Sequence, residues 1–364
     1  MSKSLKMVYK VVIALLVVVL AACSSQSSEK TDTKMMSDKN EKSSVRVGVV
    51  FTTAGLGGES FNDLVFEGVK RAKDDLGVEF DYVEPKSVSD QEITLDEMAS
   101  SGKYQLVIAV GFEQVDAIKV VAKNYPEQKF ALIDAQVDLP NVSCYVSREE
   151  EGTFLLGALA ALVKKEGTLN MLNKEKVIGF IGGVESPLIN KFAAGYTAGA
   201  RYVDKDLTVL VDYAGSFNDP STAKVIAETM HSKNADIVFH AAGASGMGLF
   251  QAAEEKGFLS MGVNSNQNKI KPDYIMASML KLANQASYEV IKSVVENAYK
   301  PGINTLGLKQ EGVGITLDKS NIKVSEDIVK TVDDIKKKII DGSIEVPTAL
   351  DKVDSFIESH QLGK

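Results

Sequence analysis

The side chains able to do chemistry are few, and they sit where apolar runs end. Phe61 and Asn62 follow a loop of small residues at 52–58. Asp116 follows the run 105–110, and Phe217, Asn218 and Asp219 follow 208–213. Gly243 closes 236–242, Asn264 and Asn266 follow 259–263, and Lys281 is the cation at the exit of 274–280. Glycine lets backbone donors approach a ligand closely. Phenyl rings offer apolar faces, while amides and carboxylates offer hydrogen bonds. A planar, neutral, polar ligand suits this set.

The same residues do not suit bond-making chemistry. The three histidines, His231, His240 and His360, are scattered, and no HExxH, GxSxG or Walker lysine motif occurs. The run 243–248 has the wrong glycine order for a dinucleotide fingerprint. Cys23 and Cys144 form no CxxC, so neither a disulfide framework nor a zinc site is expected, and no metal or cofactor is called for. Each candidate has a structural alternative. Phe61 opens a helix and could be core, Asp116 could cap helix 113–124, and Lys281 could be an ordinary surface lysine.

The elements that must position these residues come as strand, loop and helix, used twice. Strand 47–51, helix 61–76 and strand 78–83 form the first unit; strand 177–181, helix 190–203 and strand 208–213 form the second. The copies align without a gap. Gly48 matches Gly179, Phe61 matches Phe192, Gly68 matches Gly199, Leu76 matches Leu207, and Asp81-Tyr82 match Asp212-Tyr213, each pair 131 residues apart. Any two such units share apolar strands and amphipathic helices, but that does not explain a constant offset. A repeat this long is a domain. Strands alternating with helices give parallel sheets with right-handed crossovers, and in such sheets ligands bind beyond the carboxyl ends of the strands.

The expected organisation is a first lobe at 45–147 and about 281–305, and a second at 148–280 and about 306–348. A tail follows at 349–364. The elements after 274 exceed what a simple tandem needs, which suggests several crossings between the lobes and a hinge.

Before the lobes, Lys3, Lys6 and Lys10 precede an apolar run at 11–20 and then Leu20-Ala21-Ala22-Cys23. This order describes a secretory signal at 1–22, and the run is too short to span a bilayer comfortably. Cys23 after Leu-Ala-Ala resembles a bacterial lipobox, which implies cleavage before Cys23 and lipidation of its sulfur. The stretch 23–44 is rich in Ser, Lys and Asp and reads as a flexible tether. The net charge is −8, and −11 without the three signal lysines, which argues against nucleic acid as a partner. Anionic lipid would repel such a chain, so attachment to a membrane must be covalent.

Several stretches together carry a family resemblance. They are Ser60-Phe61-Asn62, Gly111-Phe112 with Asp116, Arg148-Glu149-Glu150-Glu151-Gly152, Ile178-Gly179-Phe180-Ile181-Gly182-Gly183, Ala241-Ala242-Gly243, Gly262-Val263-Asn264 and Ser278-Met279-Leu280-Lys281. With the lipobox and the duplicated lobes, they resemble the basic membrane protein family of lipoproteins, substrate-binding components of ABC importers. The resemblance implies an α/β type 1 periplasmic-binding-protein fold, two similar Rossmann-like lobes joined by a multi-strand hinge. Characterised members look like purine nucleoside receptors, so it further implies a base held between Phe61 and Phe217, with polar contacts from Asn62 and Asp116. Ribose contacts would come from Gly243, Asn264 and Lys281. Two positions depart from the family pattern: Gly58 ahead of Ser60-Phe61-Asn62, and Asn264 where the family usually has Asp. An amide accepts hydroxyl protons less well than a carboxylate. The implied partners are a nucleoside and ABC permease subunits. The implied location is the extracytoplasmic face of the cell membrane, the implied state a monomer, and no reaction is expected. A sugar receptor on the same fold, an extracellular nucleoside-processing enzyme and a surface adhesin are the alternatives.

Overall fold

The computed structural model describes residues 45–57 and 61–363. The signal, Cys23, the tether and Gly58 lie outside them. From the amino end run β1 (Arg46–Val50), α1 (Phe61–Leu76), β2 (Glu79–Val83), α2 (Val88–Ser100), β3 (Leu106–Val110), α3 (Val115–Asn124), β4 (Phe130–Ile133) and β5 (Val142–Ser147). Next come α4 (Glu149–Glu166), β6 (Val177–Gly182), α5 (Pro187–Val203), β7 (Thr208–Tyr213), α6 (Pro220–Ser232), β8 (Ile237–Ala241), α7 (Gly246–Lys256), β9 (Leu259–Gly262) and β10 (Ile275–Lys281). The last elements are α8 (Ala283–Val295), β11 (Gly302–Leu306), β12 (Val313–Thr316), α9 (Glu326–Ile340) and α10 (Val353–Ser359).

The strands form two six-stranded sheets with one shared order, β11-β5-β4-β3-β1-β2 and β12-β10-β9-β8-β6-β7. Every strand pairing is parallel except β10 with β12. The chain passes between the sheets three times: after β5, after β10, and between β11 and β12. This is the two-lobed α/β fold with a multi-strand hinge that the sequence pattern implies.

Each sheet is covered on both faces, which is why its central strands are apolar throughout rather than alternating. In the first sheet Val47, Val49, Ile108 and Val110 pack with α1 and α8, while Val50, Val107, Ala109 and Leu132 pack with α2 and α3. In the second, Phe180, Phe239 and Met261 pack with α4 and α5, and Ile181 and Val238 with α6 and α7.

The crossing helices are exchanged. α4 leaves the first sheet but packs along α5 of the second lobe, and α8 leaves the second sheet but packs along α1 of the first. The matched mid-helix glycines explain themselves here. A Cβ on Gly68 would fall onto the Asn284 carbonyl and Ser287 hydroxyl of α8. One on Gly199 would fall onto the Phe154 carbonyl of α4. Ser287 Oγ then donates to the Val65 carbonyl across the first contact, at 2.9 Å.

Three boundaries differ from the sequence pattern. The acidic run after Arg148 predicts a helix over 153–165 with those acids in its first turn, where the helix dipole favours them; α4 takes the acids in whole and starts at Glu149. α5 starts at Pro187 rather than 190, because Ser186 caps the Ile189 amide and proline suits the first helical position. The segment 349–364, expected as a tail, contains α10, which buries Val353, Phe356 and Ile357 in the core of the second lobe. Three apolar residues spaced over one turn are what a short tail pattern conceals. No helix among the described residues is long and apolar enough to cross a membrane.

Candidate functional site

Loops at the carboxyl ends of strands from both sheets enclose a cavity of about 80 Å³. From the first lobe come Thr52, Phe61, Asn62, Phe112, Glu113 and Asp134; from the second come Phe192, Phe217, Gly243, Asn264 and Lys281, among others. Six of the seven residues to which the family resemblance assigns ligand contacts therefore meet in one place, while Asn218, Asp219 and Asn266 are not among its lining.

Asp116 does not. It is the second residue of α3, its side chain is 96% exposed, and it pairs with Lys119 at 3.3 Å on the outer surface. The reason is a 3-10 turn at Phe112–Gln114, which delays the helix and rotates position 116 away from the cavity. The residues that reach the cavity from this loop are Phe112 and Glu113.

Asn62 lines the cavity but is occupied. Its amide donates to the Gly55 carbonyl at 2.7 Å, and its oxygen accepts from Thr52 Oγ1 at 3.1 Å. It ties the loop after β1 to the start of α1. Asn264 has φ 68°, a left-handed conformation that asparagine tolerates. Its backbone carbonyl accepts the Lys281 amide at 2.9 Å, while its side chain has no hydrogen-bond partner among the described residues. That amide is free to meet a ligand.

Lys281 is buried, only 3% exposed at its side chain. Its ammonium pairs with Asp134 and, at 2.8 Å, with Glu149 Oε1. It also lies 5.2 Å from the centre of the Phe61 ring and 5.7 Å from that of Phe192. Burial disfavours the charged form, but the carboxylates of Asp134 and Glu149 outweigh it and hold the lysine above its usual pKa. An ammonium has three donors and these two acids take two. The cation is thus compensated, yet one N–H remains for a neutral acceptor.

Four phenylalanines surround the space. Phe112 and Phe217, from opposite lobes, meet edge to face with centroids 6.4 Å apart. Phe61 and Phe192 flank Lys281. Phe112, Phe192, Asp134 and Glu149 were not among the sequence candidates. Phe192 carried a readable signal, since it is the repeat partner of Phe61. Asp134 did too, at the carboxyl end of a strand, and its φ of 80° marks a backbone held in an uncommon conformation.

His240, the only histidine in a strand, is fully buried. Its Nε2 lies 3.1 Å from Gln267 Oε1, and burial pushes its pKa down to about 4. That is a neutral core histidine. Among the described residues no group of acids, histidines and cysteines could hold a metal ion.

Comparison with known proteins matches residues 45–349 to the family described as ABC transporter substrate-binding protein PnrA-like. A lipoprotein of Pyrococcus abyssi is 33% identical over 344 residues, covering 91% of this chain and 81% of its own. The ABC transporter nucleoside-binding protein BmpA of Lactococcus lactis is 30% identical over 355 residues, covering 91% of this chain and 95% of its own. Among solved structures, an ABC transporter solute-binding protein of Aeropyrum pernix superimposes with a TM-score of 0.78 at 31% identity, over 86% of this chain and 96% of that one.

Proposed function

The chain belongs to the PnrA-like family of ABC transporter substrate-binding proteins, and on that premise we propose that it is a lipid-anchored receptor delivering a nucleoside, a purine nucleoside above all, to an importer. The observation that carries this reading is the Lys281 cluster between the phenylalanines. A flat base finds apolar faces from both lobes at Phe61, Phe112, Phe192 and Phe217. Sugar hydroxyls find the third Lys281 donor, the Asn264 amide and the Asp134 carboxylate. Because two acids already compensate Lys281, the one cation among the described residues lining the cavity, a phosphate finds no uncompensated charge in that lining, and a neutral nucleoside fits better than a nucleotide.

Parting of the lobes about the three crossings admits the ligand, and closure removes it from water. Membrane permease subunits then receive the liganded form. Cys23 carries the lipid that keeps the receptor at the extracytoplasmic face, as the lipoprotein relatives suggest. Labelled palmitate should enter the wild-type chain and not Cys23→Ser. Incorporation into the variant would remove the anchor from Cys23.

A thermal shift against nucleosides, free bases, ribose and common sugars tests the ligand. At 100 times its dissociation constant a ligand stabilises by about 2.7 kcal/mol. Purine nucleosides should raise the midpoint, and Phe217→Ala should abolish most of that rise. If sugars alone raise it, the base-stacking role of Phe61 and Phe217 is wrong.

A further inference from the structure

Glu149 does not line the cavity, yet it touches the residue that dominates it. It is the first residue of α4, immediately after the first crossing, and its side chain is 1% exposed. Oε1 accepts from Lys281 at 2.8 Å, while Oε2 has no hydrogen-bond partner and lies 3.8 Å from Lys191 Nζ. Burial pushes this carboxyl above its ordinary pKa, with Lys281 pulling the other way. Keeping a half-satisfied acid in the interior costs stability. An apolar side chain would pack there without that cost.

The geometry supplies a use for the acid. Lys281 ends β10 at the second crossing, and Asp134 follows β4 in the first lobe. A lysine has a flexible four-carbon stem. With Asp134 as its single anchor, the ammonium could follow that residue into the cavity. Glu149 pulls from behind, outside the cavity, while Phe61 and Phe192 confine the ammonium from the sides.

We propose that Glu149 is a positioning residue for Lys281, holding the ammonium at the cavity wall so that its third N–H points at the bound ligand. The affinity part of this inference rests on the nucleoside reading above; the placement of the lysine does not.

The test uses the full-length protein with Glu149→Gln, and Glu150→Gln as a control. Glu150 is the neighbouring acid, also buried, while the hydrogen bonds and ion pairs of Lys281 among the described residues go to Asp134 and Glu149. Two quantities are read: guanosine affinity by calorimetry, and acylation of individual lysines by an amine-reactive ester, resolved by peptide mass spectrometry. Lys164, buried in its own ion pair with Asp236 at 2.6 Å, reports general loosening of the second lobe. Glu149→Gln should weaken guanosine binding about tenfold, roughly 1.4 kcal/mol. It should also raise Lys281 acylation several-fold and leave Lys164 unchanged. Glu150→Gln should leave guanosine affinity and Lys281 acylation within twofold of wild type.

Unchanged affinity, unchanged Lys281 labelling, or Lys164 labelling that rises in step would each overturn the proposal. Should wild type bind no nucleoside, the proposed ligand falls. The labelling contrast between Lys281 and Lys164 then decides the positioning role alone.

Discussion

The two lobes share strand order, core layering and a mid-helix glycine, yet they part company at the hinge and at the strand edges. A Cβ on Gly48 of β1 would stand 2.7 Å from Met98 Sδ, and one on Gly179 of β6 would stand 2.7 Å from Met230 Sδ. Gly68 and Gly199 each give way to the crossing helix that the other lobe sends over. Asp81 and Asp212 match in sequence but not in use. Asp81 joins Arg46 at 2.8 Å and the Tyr104 hydroxyl at 2.8 Å, whereas Asp212 accepts the neighbouring Tyr213 amide. The last strands differ most: β11 runs parallel to β5, β12 antiparallel to β10. The cause is connectivity. β11 leaves its sheet at the carboxyl end of the strands, where the hinge lies, and a short turn brings the chain into the second sheet at its equivalent end. β12 must therefore run back against its neighbours. The repeat preserves what close packing and the cavity require, while polar surface pairs and hinge strands drift.

If the glycines are equivalent notches, Gly68→Ala and Gly199→Ala should be comparably harmful. Helix propensity alone predicts that each stabilises by about 1 kcal/mol. Overpacking against a backbone carbonyl predicts a net loss of about 2 kcal/mol. Urea unfolding decides, and a loss confined to one variant would break the equivalence.

The second comparison concerns the paired rings. Phe61→Leu and Phe192→Leu should each weaken nucleoside binding by about fivefold, roughly 1 kcal/mol. Calorimetry that finds an effect at Phe61 and none at Phe192 would make the cavity one-sided. The smallest effect belongs to Asp116→Asn. It removes an exposed charge with one lysine partner, so affinity should stay within twofold and stability within about 0.5 kcal/mol. A tenfold loss of affinity would return Asp116 to the site.

Reading along the chain located the cavity through strand ends rather than through motifs. The loops that follow the carboxyl ends of the strands in sequence, 52–62, 111–116, 134–137, 182–192, 214–219, 243–248 and 264–267 with the region near 281, supply most of its walls. Within those loops, residue type misled at one place and was not used at another. Asp116 looked like a hydrogen-bonding partner, and the 3-10 turn before α3 turned it outward. Phe192 went unnamed as a site residue, although its match to Phe61 in the repeat pointed to the cavity it lines.

The sequence by itself determined the number of lobes, their parallel βαβ character and the carboxyl strand ends whose loops line the cavity. These follow from periodicity, from a constant offset and from composition, all of which are local or nearly so. Only the tertiary structure decided that Lys281 is buried between Asp134 and Glu149, residues 147 and 132 positions away. It alone decided that α4 and α8 are exchanged between lobes, and that α10 closes the second core. Those outcomes depend on which elements pack together. The free energy of burying a charge or a helix face is set by neighbours that periodicity along the chain does not name.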